Sequence, residues 1–416
     1  MKTQWKLGLL ASLYFSQGLP FGFFSALPAI LREQGFTLAS IGHFSLLSLP
    51  WAFKFLWAPL VDRYGSRQFG DRRVWIIPLQ LLAVTLLFSL SGFDLVDALP
   101  VLVVGVLAAN LFAATQDIAT DALAVDLLSY RERGLGNGVQ VAGYRVGMIV
   151  GGGPLVLALT AWGWPWTFQI MAVFLAVASL PICFYREPPR ERAHKAERIS
   201  EVALDFLTRP RIWAWLIPLM LYKAGDAMGT AMLKPLLIDV GVSVAENAKM
   251  VSIVGYAAGL LGALAGGFGA SRLGRRRAVL LFGFFQSLTV SLYILPAVWL
   301  AWDLPLTTGR WVLLYLFCGV EHFAGGTATV ALFTLMMDYC RPKTAATDYT
   351  LQASLVVIAT LFAGTISGEV ADRIGYMNLF ALSGFSSLLG VFAVQWSLTF
   401  APADEPRELQ DKVAVI

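Results

Sequence analysis

AATQDIATDALAVDLLSYRERG, residues 113–134, opens inside a long apolar run, sets Asp117, Asp121 and Asp126 among alanines and valines, and closes on a short basic loop. Asp117 and Asp121 are four residues apart and therefore share one face of a helix. Carboxylates among apolar neighbours are costly unless they pair, meet water or carry protons. Whether their setting is a soluble core or a membrane depends on what lies on either side.

The flanks point to a membrane. Of the 416 residues, 57% are hydrophobic and 14% charged, and the mean hydropathy is +0.68. That is more apolar surface than a soluble protein of this size can bury. Apolar runs of about 20 residues, enough to cross a hydrocarbon layer about 30 Å thick, recur from end to end. The alternation over short segments that marks a membrane β-barrel is absent. The chain is expected to be an all-α polytopic membrane protein with twelve transmembrane helices, at residues 7–31, 38–61, 74–93, 100–127, 136–161, 167–185, 212–238, 247–270, 278–300, 310–337, 349–371 and 377–400. No cleavable signal is expected, because the run after the first six residues reads as the first span. Cys183, Cys318 and Cys340 lie far apart with no CxxC spacing, so they are read as small hydrophobes and no metal site is expected.

Orientation follows from lysine and arginine. With the N-terminus inside, 23 of the 31 basic residues fall in inner segments and four, Arg32, Lys249, Arg310 and Arg373, in outer ones. This asymmetry puts both termini in the cytoplasm. It also makes the net charge of +4 a topology signal, and no nucleic-acid partner is expected. The one long polar stretch, residues 186–211, divides the chain into a six-helix bundle over 1–185 and another over 212–400, followed by a tail at 401–416. Val202, Leu204, Phe206 and Leu207 predict a short amphipathic helix on the cytoplasmic surface within that linker.

The two halves repeat. Tyr14 and Gln17-Gly18 are echoed by Tyr222 and Gly225-Asp226, and DRYGSRQFGDRR (62–73) by SRLGRRR (271–277). At a constant offset of 212, Asp126 matches Asp338, Gln140 matches Gln352 and Gly163 matches Gly375. Duplicated halves of this kind are a transporter pattern, with the site at their interface.

Several charges fall inside spans: Lys54, Asp117, Asp121, Arg145, Lys223, Asp226, Lys234, the adjacent pair Glu321-His322, and Glu369 near an outer end. Each costs roughly 2.5–3.5 kcal/mol at bilayer depth on insertion scales, so pairing or water contact is expected. Asp117 or Asp121 with Arg145, and Lys223 with Asp226, are the natural pairs. Locking helices together is one reading of such pairs. The other is a substrate and proton pathway built from Asp117, Asp121, Arg145, Lys54, Gln17, Tyr144, Lys223, Asp226, Glu321 and His322. His43 and His194 read as peripheral. Gly151-Gly152-Gly153 reads as close helix packing. No GxSxG, P-loop, HExxH or GxGxxG occurs, so neither an enzyme nor an ATP-driven pump is expected, and no cofactor. A membrane-embedded enzyme or sensor remains a remote alternative. An ion gradient is the remaining source of free energy, with H⁺ the default.

The basic loop after the second span, Asp62-Arg63 through Arg73, resembles the signature loop between the second and third helices of the major facilitator superfamily. There Asp62 and Arg63, with Asp126 and Asp338 at helix ends, are expected to act as gating residues, Asp62 by capping or pairing with positive helix ends in one state only. SLPWAFKFLWAPLVDRYG (48–65), ATQDIATDALAVD (114–126), ERGLGNGVQVAGYRVGMIVGGG (132–153) and WGWPWTF (162–168) resemble the peptide/acetyl-CoA transporter family within that superfamily. That family holds muropeptide permeases, acetyl-CoA transporters and ferric-siderophore permeases. The resemblance implies two pseudo-symmetric six-helix bundles and proton-driven import through a bacterial inner membrane by a monomer. Muropeptide permeases of this type tend to be longer, and YFSQGLPFGFFSALPAILREQG (14–35) with the compact length leans towards a siderophore substrate, ahead of muropeptide and acetyl-CoA.

Overall fold

The structure, a computed structural model, describes residues 3–25, 27, 47, 49–66, 69–93, 98–187, 199–243, 246–247 and 249–400. Among them the only β pairing is an isolated bridge between Ser66 and Gly70; the regular elements are helices. In chain order they are α1 (Thr3–Phe24), α2 (Leu49–Phe53), α3 (Ala58–Arg63), α4 (Arg73–Leu90), α5 (Leu99–Leu127), α6 (Arg133–Gly152), α7 (Pro154–Phe184), α8 (Ile199–Thr208), α9 (Trp213–Asp239), α10 (Tyr256–Leu273), α11 (Arg275–Ser291), α12 (Ile294–Ala301), α13 (Thr308–Asp338) and α14 (Ala345–Ser397). A 3-10 turn, Lys54–Leu56, interrupts the second span between α2 and α3, and a π-helical segment, Lys249–Gly255, leads into α10.

Eight helical stretches among the described residues are long and apolar enough to cross a membrane, and two of them run to 52 and 53 residues. At 1.5 Å per residue these would extend roughly 78 Å, more than twice a hydrocarbon core. Each instead breaks at a glycine: Gly163 at φ 78°, ψ −179° and Gly375 at φ 78°, ψ 161°. A left-handed φ costs an L residue about 1–2 kcal/mol, which is why both positions are glycine. Counting each long stretch as two gives ten spans. The interrupted α2–α3 helix and α9, which carries Lys223, Asp226, Lys234 and Asp239, complete the twelve.

Packing shows that the chain reverses at both glycines. Gly143, Gly147 and Gly151 of α6 abut Ala11, Phe15 and Leu19 of α1 in that order, so these helices run parallel. After Gly163 the chain returns: Phe168 packs edge-on against Phe23 (5.7 Å between centroids), and Arg73 donates to the carbonyls of Ile182 and Cys183 at the far end. The second half repeats the pattern. Trp215 of α9 donates to Gln352 and Ala231 lies beside Gly364, whereas beyond Gly375 the order inverts, with Asp239 at Tyr376, Gly225 at Ser387 and Tyr222 at Gly390. The glycine stripe lets the α1 and α6 backbones approach where lipid supplies no hydrophobic drive to hold helices together. Gly151 and Gly152 pack there as the sequence implies, against Leu19 and Gly22.

Apolar side chains such as Leu157, Phe184, Phe362 and Phe392 are more than half exposed, as lipid-facing residues are. The linker helix α8 departs from expectation. Leu204 is exposed, but Phe206 is fully buried in a cluster that includes Trp215, Ile212 and Tyr339 and also Ala58 and Val61, so α8 is docked by its aromatic residue where α3 of the first half meets α14 of the second.

A methyl group added at Gly375 would have nothing within contact distance, so Gly375→Ala tests the backbone alone. It is expected to lower thermal stability in detergent by about 1–2 kcal/mol, while Gly368→Ala, equally unobstructed but helical, is expected to be neutral or slightly stabilising. Equal melting of the two variants would contradict the reversal at Gly375.

Candidate functional site

The two halves meet at the end that carries the arginine-rich loops. Asp62, at the C-terminal end of α3, accepts the backbone N–H groups of Ala346 (3.2 Å) and Thr347 (2.8 Å) and the Thr347 hydroxyl (2.8 Å). A carboxylate of the first half thereby caps the N-terminus of α14 in the second, satisfying amides that have no partner within the helix and meeting the positive end of its dipole. Fully buried Arg72 donates to Asp62 Oδ1 (2.9 Å), Asp126 Oδ2 (3.2 Å) and the Val61 carbonyl (3.2 Å). Burial works against its charge, yet Asp62 and Asp126 raise its pKa above the ordinary value. Glu187 completes the corner by accepting the backbone N–H groups of Arg72 and Arg73, which caps α4.

The second half builds the counterpart. Asp338 accepts from Arg275 Nε (2.9 Å) and, across the interface, from Arg133 Nη1 (2.6 Å), and Arg275 donates to the Tyr130 carbonyl of the first half. Asp126–Arg72 and Asp338–Arg275 are thus corresponding ion pairs of the two halves, the aspartates 212 residues apart and the arginines 203. The symmetry stops at the cap: where Asp62 meets Ala346, the second half sets Ser271 beside Gly134. The expected gating residues Asp62, Asp126 and Asp338 all belong to this closure. Arg63 lies over the Tyr64 ring at 5.7 Å, and the bridging arginine is Arg72, which the sequence did not single out. Among the described residues, the hydrogen bonds and ion pairs joining the halves all lie at this end.

Beside the closure, between the halves, is a cavity of about 590 Å³, within the range of ligand sites. It is lined by Lys54, Asp117, Asp121, Tyr144, Arg145, Lys223, Asp226, Glu321 and His322, nine of the ten residues expected to form the pathway. The break in the second span presents Lys54 to α5: Trp51 donates to Asn110 (2.9 Å) and Trp57 to Thr115 (3.1 Å), pinning the 3-10 turn between them. Lys54 pairs with Asp117, is 4.0 Å from Asp121, and lies 5.6 Å from the centre of the Trp51 ring. Tyr14 donates to Asp121 and accepts from Gln140 of α6, joining three helices through one hydroxyl. In the second half Lys223 is 2.7 Å from Asp226, as expected, and His322 Nδ1 is 2.6 Å from Glu321 Oε2 and 3.0 Å from the Cys318 carbonyl.

Two expectations need correction. Arg145 does not pair with Asp117 or Asp121: Lys54 takes both, because the 3-10 turn carries its ammonium to the α5 face, while Arg145 points towards α10. Gln17 does not line the large cavity. Its side chain lies instead in a separate space of about 20 Å³ shared with Ser16, Pro20 and Gln116, with both amide atoms unpartnered. That volume holds about one water molecule. Glu369 is three-quarters exposed, 3.7 Å from Arg373, and Lys234 is also exposed. His43 and His194 lie outside the described residues. Gln140, Tyr256, Tyr349 and Trp51 line the cavity without having been named from the sequence as site residues; the offset pairing Gln140 with Gln352 was the available signal for the first of them.

Twelve helices in two similar halves around a charged central cavity define a membrane transporter, and comparison with known proteins agrees. The Major Facilitator Superfamily profile matches residues 8–353. The anhydromuropeptide permease of Escherichia coli (strain K12) is 30% identical over 390 residues, covering 92% of this chain and 78% of that one. The putative transporter AmpG 4 of Rickettsia felis is 29% identical and is covered over 91% of its length. The human organic anion transporter MFSD10 superposes with a TM-score of 0.74 at 17% identity, over 95% of this chain and all of that one, and the Escherichia coli fucose:proton symporter FucP with 0.72 at 12%, over 94% and 98%. The chain belongs to the Major Facilitator Superfamily and, within it, to the muropeptide permease-like transporters. The lean towards a siderophore substrate is not favoured by these relatives.

Removing Lys54 leaves Asp117 and Asp121 facing each other without a cation. Lys54→Met is expected to destabilise the detergent-solubilised protein by about 3 kcal/mol or more, and Lys54→Met/Asp117→Asn to recover part of that loss. Additive melting shifts would contradict the shared pair. Asp62→Ala is expected to raise alkylation of Cys340, which lies at the closure, several-fold in a Cys183→Ser background; unchanged labelling would show that the cap does not hold the halves together.

Proposed function

We propose that the chain is a proton-coupled importer that carries a muropeptide-class solute, a sugar–peptide fragment of the cell wall, across the bacterial inner membrane by alternating access. The observation that carries this reading is the charged cavity between two halves whose hydrogen bonds and ion pairs to each other, among the described residues, all lie at one end. The basic-residue asymmetry supports assigning the arginine-rich end, and with it both termini, to the cytoplasm, an orientation in which the cavity is served from the outer side. One chain supplies the whole lining, in keeping with a monomeric carrier.

The coupling reading rests on charge balance. Asp117 and Asp121 share Lys54, so a proton on either carboxylate balances the cluster, and release of that proton leaves a surplus negative charge in a water-poor site. Tyr14, bonded to Asp121 and Gln140, ties that event to α1 and α6. Substrate and proton together would then weaken the closure, freeing Asp62 from α14 and exposing the cavity on the inner side. The muropeptide assignment is supported by the relative at 30% identity, an anhydromuropeptide permease.

Uptake of a labelled anhydromuropeptide into energised membrane vesicles is expected to collapse on adding a protonophore. Asp121→Asn is expected to lose concentrative uptake while retaining exchange of labelled for unlabelled substrate. Uptake indifferent to the protonophore, or full concentrative uptake by Asp121→Asn, would overturn the coupling scheme.

A further inference from the structure

The cavity charges can be sorted into partners. Lys54 faces Asp117 and Asp121, Lys223 faces Asp226, and His322 faces Glu321. Arg145 is left over. Among the described residues its guanidinium makes no hydrogen bond or ion pair, and Asp226 and Glu321 act on it through space without touching it. An unpaired, half-buried guanidinium at membrane depth is expensive to hold unless something fills its donors.

Its seat is specific. Arg145 projects from α6 of the first half onto α10 of the second, where Gly259 makes room for it. A Cβ on Gly259 would overlap Nη1 and Cζ of Arg145, and the three nearest atoms to that Cβ all belong to this side chain. The glycine therefore lets the guanidinium lie against the α10 backbone in the cavity wall, which Tyr144, Tyr256 and Glu321 also line. A fork of N–H donors with no protein acceptor matches a planar carboxylate in a two-point hydrogen bond.

We propose that Arg145, seated on Gly259, is the carboxylate-binding subsite of the cavity and sets a requirement for substrates that carry a free carboxylate. This rests on the muropeptide reading above and deepens it. The Lys54–Asp117–Asp121 cluster handles the proton, and Arg145 handles the anionic group of the solute. Because the guanidinium reaches from one half to the other, an occupied subsite also places substrate charge at the moving interface.

The test uses the purified full-length chain and an anhydromuropeptide with a single carboxylate, either free or amidated. Binding is read by quenching of tryptophan fluorescence, since Trp51 lines the cavity. The wild-type chain is expected to bind the acid roughly tenfold or more tightly than the amide, as a charge-assisted two-point bond implies. Arg145→Gln is expected to erase that preference and Arg145→Lys to keep part of it. Gly259→Ala, which displaces only the guanidinium, is expected to reduce the preference as well. A role in packing alone would lower acid and amide binding together. Equal binding of acid and amide by the wild type, or an acid preference that survives Arg145→Gln, overturns this inference alone. Binding of neither form overturns it together with the muropeptide reading.

Discussion

The Asp62 carboxylate holds the start of α14, and with it the second half of the molecule, against the first. The interaction is strong because it is buried and charge-assisted, and it is reversible because no covalent bond backs it and Ala58, Val61, Ala345 and Ala346, which share its buried cluster, are small. Arg72 makes it tenable: a fully buried carboxylate needs a counter-charge, and the guanidinium gives one to Asp62 and Asp126 at once. Around this corner the polar contacts between the halves, among the described residues, are gathered at a single end, with the cavity beside them.

The same economy of charge governs the cavity. An ionised group at membrane depth is costly without a partner, and in the first-half cluster the partners come from different helices: Lys54 from a broken second span, the aspartates from α5, the tyrosine from α1 and the glutamine from α6. A change in protonation at one carboxylate therefore changes what several helices hold in common. That is the physical content of coupling in a carrier without a nucleotide site.

Much of this was legible in the chain. The 212-residue offset identified Gly163 with Gly375 and Asp126 with Asp338, and both pairs have matching roles in the fold, as reversal points and as anchors of buried arginines. Hydropathy located the spans because lipid demands long apolar helices whatever their packing. The partners of individual charges were less readable. Lys54 reaches Asp117 only because the second span turns through a 3-10 segment at that residue, and periodicity does not reveal which helix will break there. Arg145 was assigned to the neighbouring helix by sequence proximity, whereas the room for it is made by Gly259, more than a hundred residues away. Gln17 sits three residues after Tyr14, close enough in periodicity to suggest the same face, yet it lines a different and smaller space.

The central claim is that the closed end opens when substrate and proton occupy the cavity. Spin labels on Arg131 and Arg276, exposed residues of the two halves at the arginine-rich end, give the distance between the halves there by pulsed electron resonance. The account predicts one short distance at neutral pH without substrate, and a second, longer population when an anhydromuropeptide is added at acid pH. A single unchanged distance under both conditions would contradict it.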